Sequence, residues 1–108
     1  MMKTVRCAAA VFALLAAPLA LAAGDAGAGK LKANTCMGCH GIPGYTNAYP
    51  TYRVPKLGGQ SAEYLAAALK SYKSGERPHK TMQAQAASLS DQDIDDIAAF
   101  LAVAPGSH

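Results

Sequence analysis

The segment Thr35-Cys36-Met37-Gly38-Cys39-His40-Gly41 constrains this chain more than any other part of it. It sets two thiols three residues apart and puts an imidazole directly after the second. On a helical turn, positions i, i+3 and i+4 share a face, so Cys36, Cys39 and His40 can address one object beside that face. Whatever the chain folds into must leave room for that object.

The material available to surround it is small. The 108 residues suffice for one domain, and the first segment is expected to lie outside it. Lys3 and Arg6 precede an apolar run from Cys7 to Ala23, and Ala20-Leu21-Ala22 has the small-x-small form of a signal-peptidase site. Residues 1–23 are therefore read as a signal peptide cleaved after Ala22 or Ala23, with the domain spanning 24–108. The run holds about 17 residues and contains Pro18, short of the roughly 20 that a membrane span needs; an uncleaved anchor is the weaker alternative. No stable membrane insertion is expected after cleavage.

Export changes two counts. Cys7 leaves with the leader, so Cys36 and Cys39 remain alone, and 8 basic residues then face 7 acidic ones. A balance so near neutral does not support nucleic-acid binding. The mature chain has one phenylalanine, Phe100, no tryptophan and many alanines. A domain this small and this poor in large apolar groups needs a disulfide, metal or other staple to complete its core.

Three helices are expected. The first begins near Asp25, a good N-cap, and passes through Leu31 towards the cysteines; Gly27 and Gly29 weaken it but would let another helix come close. The second runs from the N-cap Ser61 to about Ser74, where Gly75 ends it, with Leu65, Leu69 and Tyr72 at helical spacing. The third is capped by Ser90, with Asp93 at the capping-box position and an apolar stripe of Ile94, Ile97, Ala98 and Leu101 up to Pro105. Leu89 before the cap can staple to Ile94. Asp91, Asp93, Asp95 and Asp96 are read as charges suited to the start of a helix rather than as a metal site. Between Gly41 and Gln60 the prolines and glycines leave no convincing period and no strand alternation, only a long loop that would need a bound group to lie against.

Three chemistries use a Cys-x-x-Cys pair. Structural zinc usually takes four ligands; here His40 is awkwardly adjacent to Cys39, and His79 and His108 are distant. A thioredoxin-like dithiol belongs to a βαβ pattern, which is not visible. Covalent haem attachment requires a histidine directly after the second cysteine, and Cys36, Cys39 and His40 satisfy it. In that reading the sulfurs form thioethers with the two vinyl groups of haem c, and the His40 ring reaches the iron. For the opposite face, Met82 stands about 40 residues downstream, in what reads as the loop after the second helix. Met37 lies inside the attachment turn and cannot cross the ring. His79 and Lys80 remain rivals to Met82; a Met/His pair would raise the reduction potential.

With these residues assembled, the chain resembles the class I c-type cytochromes, particularly the short bacterial periplasmic ones with one haem. The motifs are CMGCHG, PKLGGQ at 55–60, YLAAALKSYKSGER at 64–77, Met82 and LSDQDIDDIAAFLA at 89–102. The resemblance implies an all-α small cytochrome c fold, three main helices and loops wrapped around one covalently bound haem. It implies that the Pro55 carbonyl receives the His40 ring N–H, that Leu57 packs on the porphyrin, and that the first and last helices cross with Gly29 or a neighbour under Phe100 or Leu101. Arg77, Gln60 and the tyrosines are candidates for the haem propionates; Tyr45, Asn47, Tyr49 and Tyr52 have no assigned role.

The function this implies is an exported, periplasmic, monomeric electron carrier and not an enzyme, with iron cycling between Fe(II) and Fe(III) under His40 and Met82. Its partners would be redox proteins met transiently, steered by some of Lys30, Lys32, Lys56, Lys70, Lys73 and Lys80. The alternatives are a haem subunit of a larger periplasmic oxidoreductase and a gas-binding or peroxidatic haem protein in which Met82 leaves the iron.

Overall fold

The computed structural model describes residues 24–105; the expected leader, residues 1–23, and His108 lie outside the described residues. Within that range the chain forms five α-helices and one hairpin: α1 (Ala26–Lys32), α2 (Asn34–His40), β1 (Thr46–Ala48), β2 (Thr51–Arg53), α3 (Ala62–Ser74), α4 (Lys80–Ala87) and α5 (Asp91–Val103). The three expected helices are present. The first is stepped: Ala33, fully buried, ends α1 and starts α2.

The caps follow the sequence. Asp25 accepts the N–H groups of Gly27 and Ala28, Ser61 accepts that of Tyr64, and Ser90 and Asp93 close a reciprocal capping box. Two features depart from expectation. Met82 stands in the first turn of a helix, α4, and not in a loop. The stretch after Gly41 contains a short antiparallel hairpin pairing Thr46 with Arg53, Asn47 with Tyr52 and Ala48 with Thr51. Three-residue strands show too little alternation to be read from a sequence, and Pro50 at the tip disguises them further.

α1 crosses α5, and the crossing is close because of one residue. A Cβ on Gly29 would lie 1.9 Å from the Asp96 carbonyl oxygen and 2.9 Å from the Phe100 Cβ. Gly58 has the same role at the other end of α5, where a Cβ would meet the Pro105 carbonyl oxygen at 2.3 Å; the neighbouring Gly59 N–H donates to the Leu101 carbonyl. The core is thin. Ala33, Leu65, Leu69, Ile94, Ile97, Ala98 and Leu101 form it, and among the described residues Ile94 and Ile97 are the largest side chains fully enclosed.

A polar clamp fastens the crossing, and it revises the reading of the acidic set. Asp96 is only 3% exposed and accepts three hydrogen bonds: Lys32 Nζ at 2.6 Å, the Asp25 N–H at 2.8 Å and Gln92 Nε2 at 2.8 Å. Lys32 also lies 2.9 Å from Asp93. A buried carboxylate needs this degree of satisfaction. The Lys32 ammonium, helped by the Asp25 N–H and Gln92, holds the Asp96 carboxyl below its usual range. The Ser90 N–H, followed by Lys32, lowers Asp93 to about 2.

Both carboxyls are thus depressed in the folded state, which binds fewer protons than the unfolded chain. The stability they add is fully present above the ordinary carboxylate pKa of about 4 and is lost as pH falls through the folded values. Unfolding midpoints measured from pH 6 to pH 2 should fall across the lower half of that window, and Asp96→Asn should flatten the dependence.

Candidate haem site

α2 delivers the motif residues together. Cys36, Cys39 and His40 occupy its last turns, and Gly41 ends it. Cys36 is half-buried and Cys39 exposed, so the pair stands at the rim of a cavity rather than within the core. His40 Nδ1 lies 2.8 Å from the Pro55 carbonyl oxygen. A carbonyl can only accept, so Nδ1 carries the proton and the Nε2 lone pair is left free for a metal.

The cavity is about 470 Å³. Its walls combine Cys36, Cys39, His40, Pro55 and Leu57 with Leu65 and Leu69 of α3, Met82 of α4, and Ile97 and Leu101 of α5. Met37 is not part of this wall; it packs against the core and Gly41 behind the attachment turn, which leaves Met82 as the methionine facing His40's cavity. Without an occupant, the mostly apolar lining of this 470 Å³ cavity would face water, which a core this thin has little other burial to offset. An apolar cavity of this extent, edged by two thiols and a free imidazole nitrogen, fits a large flat apolar group bound covalently at one edge. This is the staple that the thin core lacked.

The competing chemistries fare worse. Burial pushes the Cys36 thiol up, opposite to the shift that activates a redox dithiol. Among the described residues, no three His, Cys, Asp or Glu side chains cluster to hold a metal ion.

Other candidates are sorted by their contacts. His79 faces the cavity, but its Nδ1 accepts the Met82 N–H at 3.3 Å, so it serves as the N-cap of α4. Lys80 is exposed and does not line the cavity. Arg77 reaches the cavity and stacks over the Tyr72 ring at 4.5 Å. Gln60 also reaches it while accepting the Ser61 N–H. Of the loop tyrosines, Tyr52 lines the cavity and Tyr49 projects from the hairpin tip, 97% exposed. Two of the lysines expected to face partners are engaged elsewhere: Lys32 in the clamp on α5, and Lys73 on the Leu89 carbonyl. Nothing in the residue order marks His79 or Tyr52 as a structural anchor. Asp96 leaves no signal either: it stands one residue before Ile97 among four aspartates, and its burial comes from the arrival of α1.

Over residues 25–104 the chain matches the cytochrome c family, and it belongs to that family. It is therefore a single-haem electron-carrier domain with haem c as its cofactor. It is 48% identical over 81 residues to cytochrome c-554(548) of Halomonas halodenitrificans, covering 72% of this chain and 94% of that protein. It is 45% identical over 84 residues to cytochrome c4 of Pseudomonas aeruginosa, covering 78% of this chain and 40% of the relative; the chain thus spans less than half the length of that protein. The structure of a cytochrome c4 from Acidithiobacillus ferrooxidans superposes with a TM-score of 0.55 at 30% identity, covering 73% of this chain and 50% of the other.

Proposed function

We propose that this domain is an exported shuttle in which Cys36 and Cys39 hold the haem through thioethers while His40 and Met82 are its axial ligands. The observation that carries this is a single cavity with the Cys-Cys-His turn in one wall and Met82 in another. The bound group supplies an iron that takes up and returns one electron.

The chain's own residues make that exchange easy. The hydrogen bond from His40 Nδ1 to the Pro55 carbonyl fixes the ring's rotation and aims Nε2 into the cavity. Leu57, Leu65, Leu69, Ile97 and Leu101 keep water out. Helices on several sides hold both ligand-bearing turns, so the site rearranges little between oxidation states. With His40 and Met82 both committed to the iron, no position would be left for a substrate, and on this reading the domain is a carrier and not an enzyme. It acts by brief contact with donor and acceptor proteins, as a monomer. Residues 1–23 direct it to the periplasm and are removed after Ala22 or Ala23. Among the described residues, no helix is long and apolar enough to cross a membrane.

The test is Met82→Ala in the haem-loaded protein. The long-wavelength methionine–iron band should vanish, and the potential should fall by on the order of 0.1–0.3 V, a fraction of the roughly 0.8 V that axial ligation commands. An unchanged band and potential would remove Met82 from the iron. N-terminal sequencing of the periplasmic form should begin at Ala23 or Gly24.

A further inference from the structure

The first turn of α4 is held from outside by two side chains that the ligand assignment does not use. α4 has eight residues, too few to be stable by itself, and it packs chiefly against α3. Its leading N–H groups need partners, and the cap is His79, whose Nδ1 accepts from Met82 itself at 3.3 Å. Histidine is an unusual choice for this position. Its ring is held in turn: Tyr52 meets it edge-on with centroids 4.8 Å apart, and Tyr72 meets it from α3 at 6.3 Å. The Tyr52 hydroxyl then donates to Thr81 Oγ1 at 3.0 Å, so β2 is fastened to the residue immediately before Met82.

We propose that Tyr52 and His79 are positioning residues for the sixth ligand, clamping the first turn of α4 to the hairpin so that Met82 cannot swing out of the cavity. This rests on Met82 being that ligand. It also gives the hairpin a role, since β1 holds β2 in register, with Asn47 opposite Tyr52, and Tyr52 passes the restraint to α4. An external ligand can bind only those molecules in which Met82 has left. Its apparent affinity therefore reports how often the clamp opens, being the intrinsic affinity scaled by the open fraction.

Imidazole titration of the ferric, haem-loaded protein, followed by loss of the methionine–iron band, measures this directly. Tyr52→Phe, which removes only the hydroxyl, and His79→Ala, which removes the cap, should each keep the band at rest. Each should bind imidazole about fivefold more tightly than wild type, the factor that one lost hydrogen bond or one lost cap of ordinary strength produces. His79→Asn restores a cap and should stay within about twofold of wild type. Global destabilisation alone would not separate Asn from Ala in this way under native conditions.

If Tyr52→Phe and His79→Ala bind imidazole as wild type does while Met82→Ala binds it far more tightly, the clamp is wrong and the ligand assignment stands. If wild type lacks the band from the outset, the ligand assignment fails and the clamp falls with it.

Discussion

Replacing Cys36 and Cys39 together by alanine should yield purified protein with no covalently bound haem and no stable fold. The intact mass should lack the haem increment, and the thermal transition of the loaded protein should be absent. Neither thiol contributes much to packing, Cys39 being exposed and Cys36 half-buried. On the proposed reading, what the pair supplies is retention of the group that fills the cavity. Without it, Leu57, Leu65, Leu69, Ile97 and Leu101 face some 470 Å³ of empty or wet space. Among the described residues Ile94 and Ile97 are the largest fully enclosed side chains, and Ile97 itself borders the cavity. With that lining exposed, some 80 residues keep too little buried apolar surface to hold one fold without a staple. A double variant that kept a cooperative transition and native helicity without haem would show that the polypeptide core suffices.

Gly29→Ala should destabilise the domain by about 3 kcal/mol or more, at the upper end of what overpacking produces. The added Cβ would sit 1.9 Å from a backbone oxygen of Asp96. Backbone cannot rotate aside as a side chain can, so α1 and α5 must separate. Separation also pulls Asp25 and Lys32 away from the buried Asp96 carboxylate, so the steric and polar losses arrive together. At a urea slope of about 1 kcal/mol/M, the midpoint of the haem-loaded protein should fall by roughly 3 M. Gly27→Ala is the contrast. Its Cβ would meet only an Asp25 carboxylate oxygen, at 3.2 Å, and the gain in helix propensity should leave its midpoint close to wild type. A Gly29→Ala midpoint equal to that of Gly27→Ala would mean the helices are not held as closely as the crossing indicates.

These two variants also show where inference from residue order succeeds. Helices α1, α3 and α5 are legible because their signals are local: a capping side chain three residues from the N–H it serves, and apolar residues repeating every three to four positions. The resemblance points to Gly29 or a neighbour at the crossing, but helix periodicity alone does not choose Gly29 over Gly27. Both are helical glycines two residues apart, and they differ only in which one meets another helix. Asp96 looks like its acidic neighbours for the same reason, because burial depends on α1 arriving over it. α4 is hidden because its cap is a histidine and its eight residues carry no apolar stripe. The hairpin is hidden because six paired residues cannot display a period.

The attachment turn belongs to the first kind. Cys36, Cys39 and His40 lie within five residues, so helix geometry alone brings them to one face, and their chemistry can be read directly from their order. The opposite wall belongs to the second kind. Met82 reaches the same cavity across more than forty residues of chain, carried by a helix that His79 starts and a hairpin that Tyr52 ties down. Contacts between residues close in the chain are set by backbone periodicity and are written in the order of residues. Contacts between distant residues depend on how whole elements pack, and that packing decides which glycine lies at the helix crossing and which aspartate is buried beneath it.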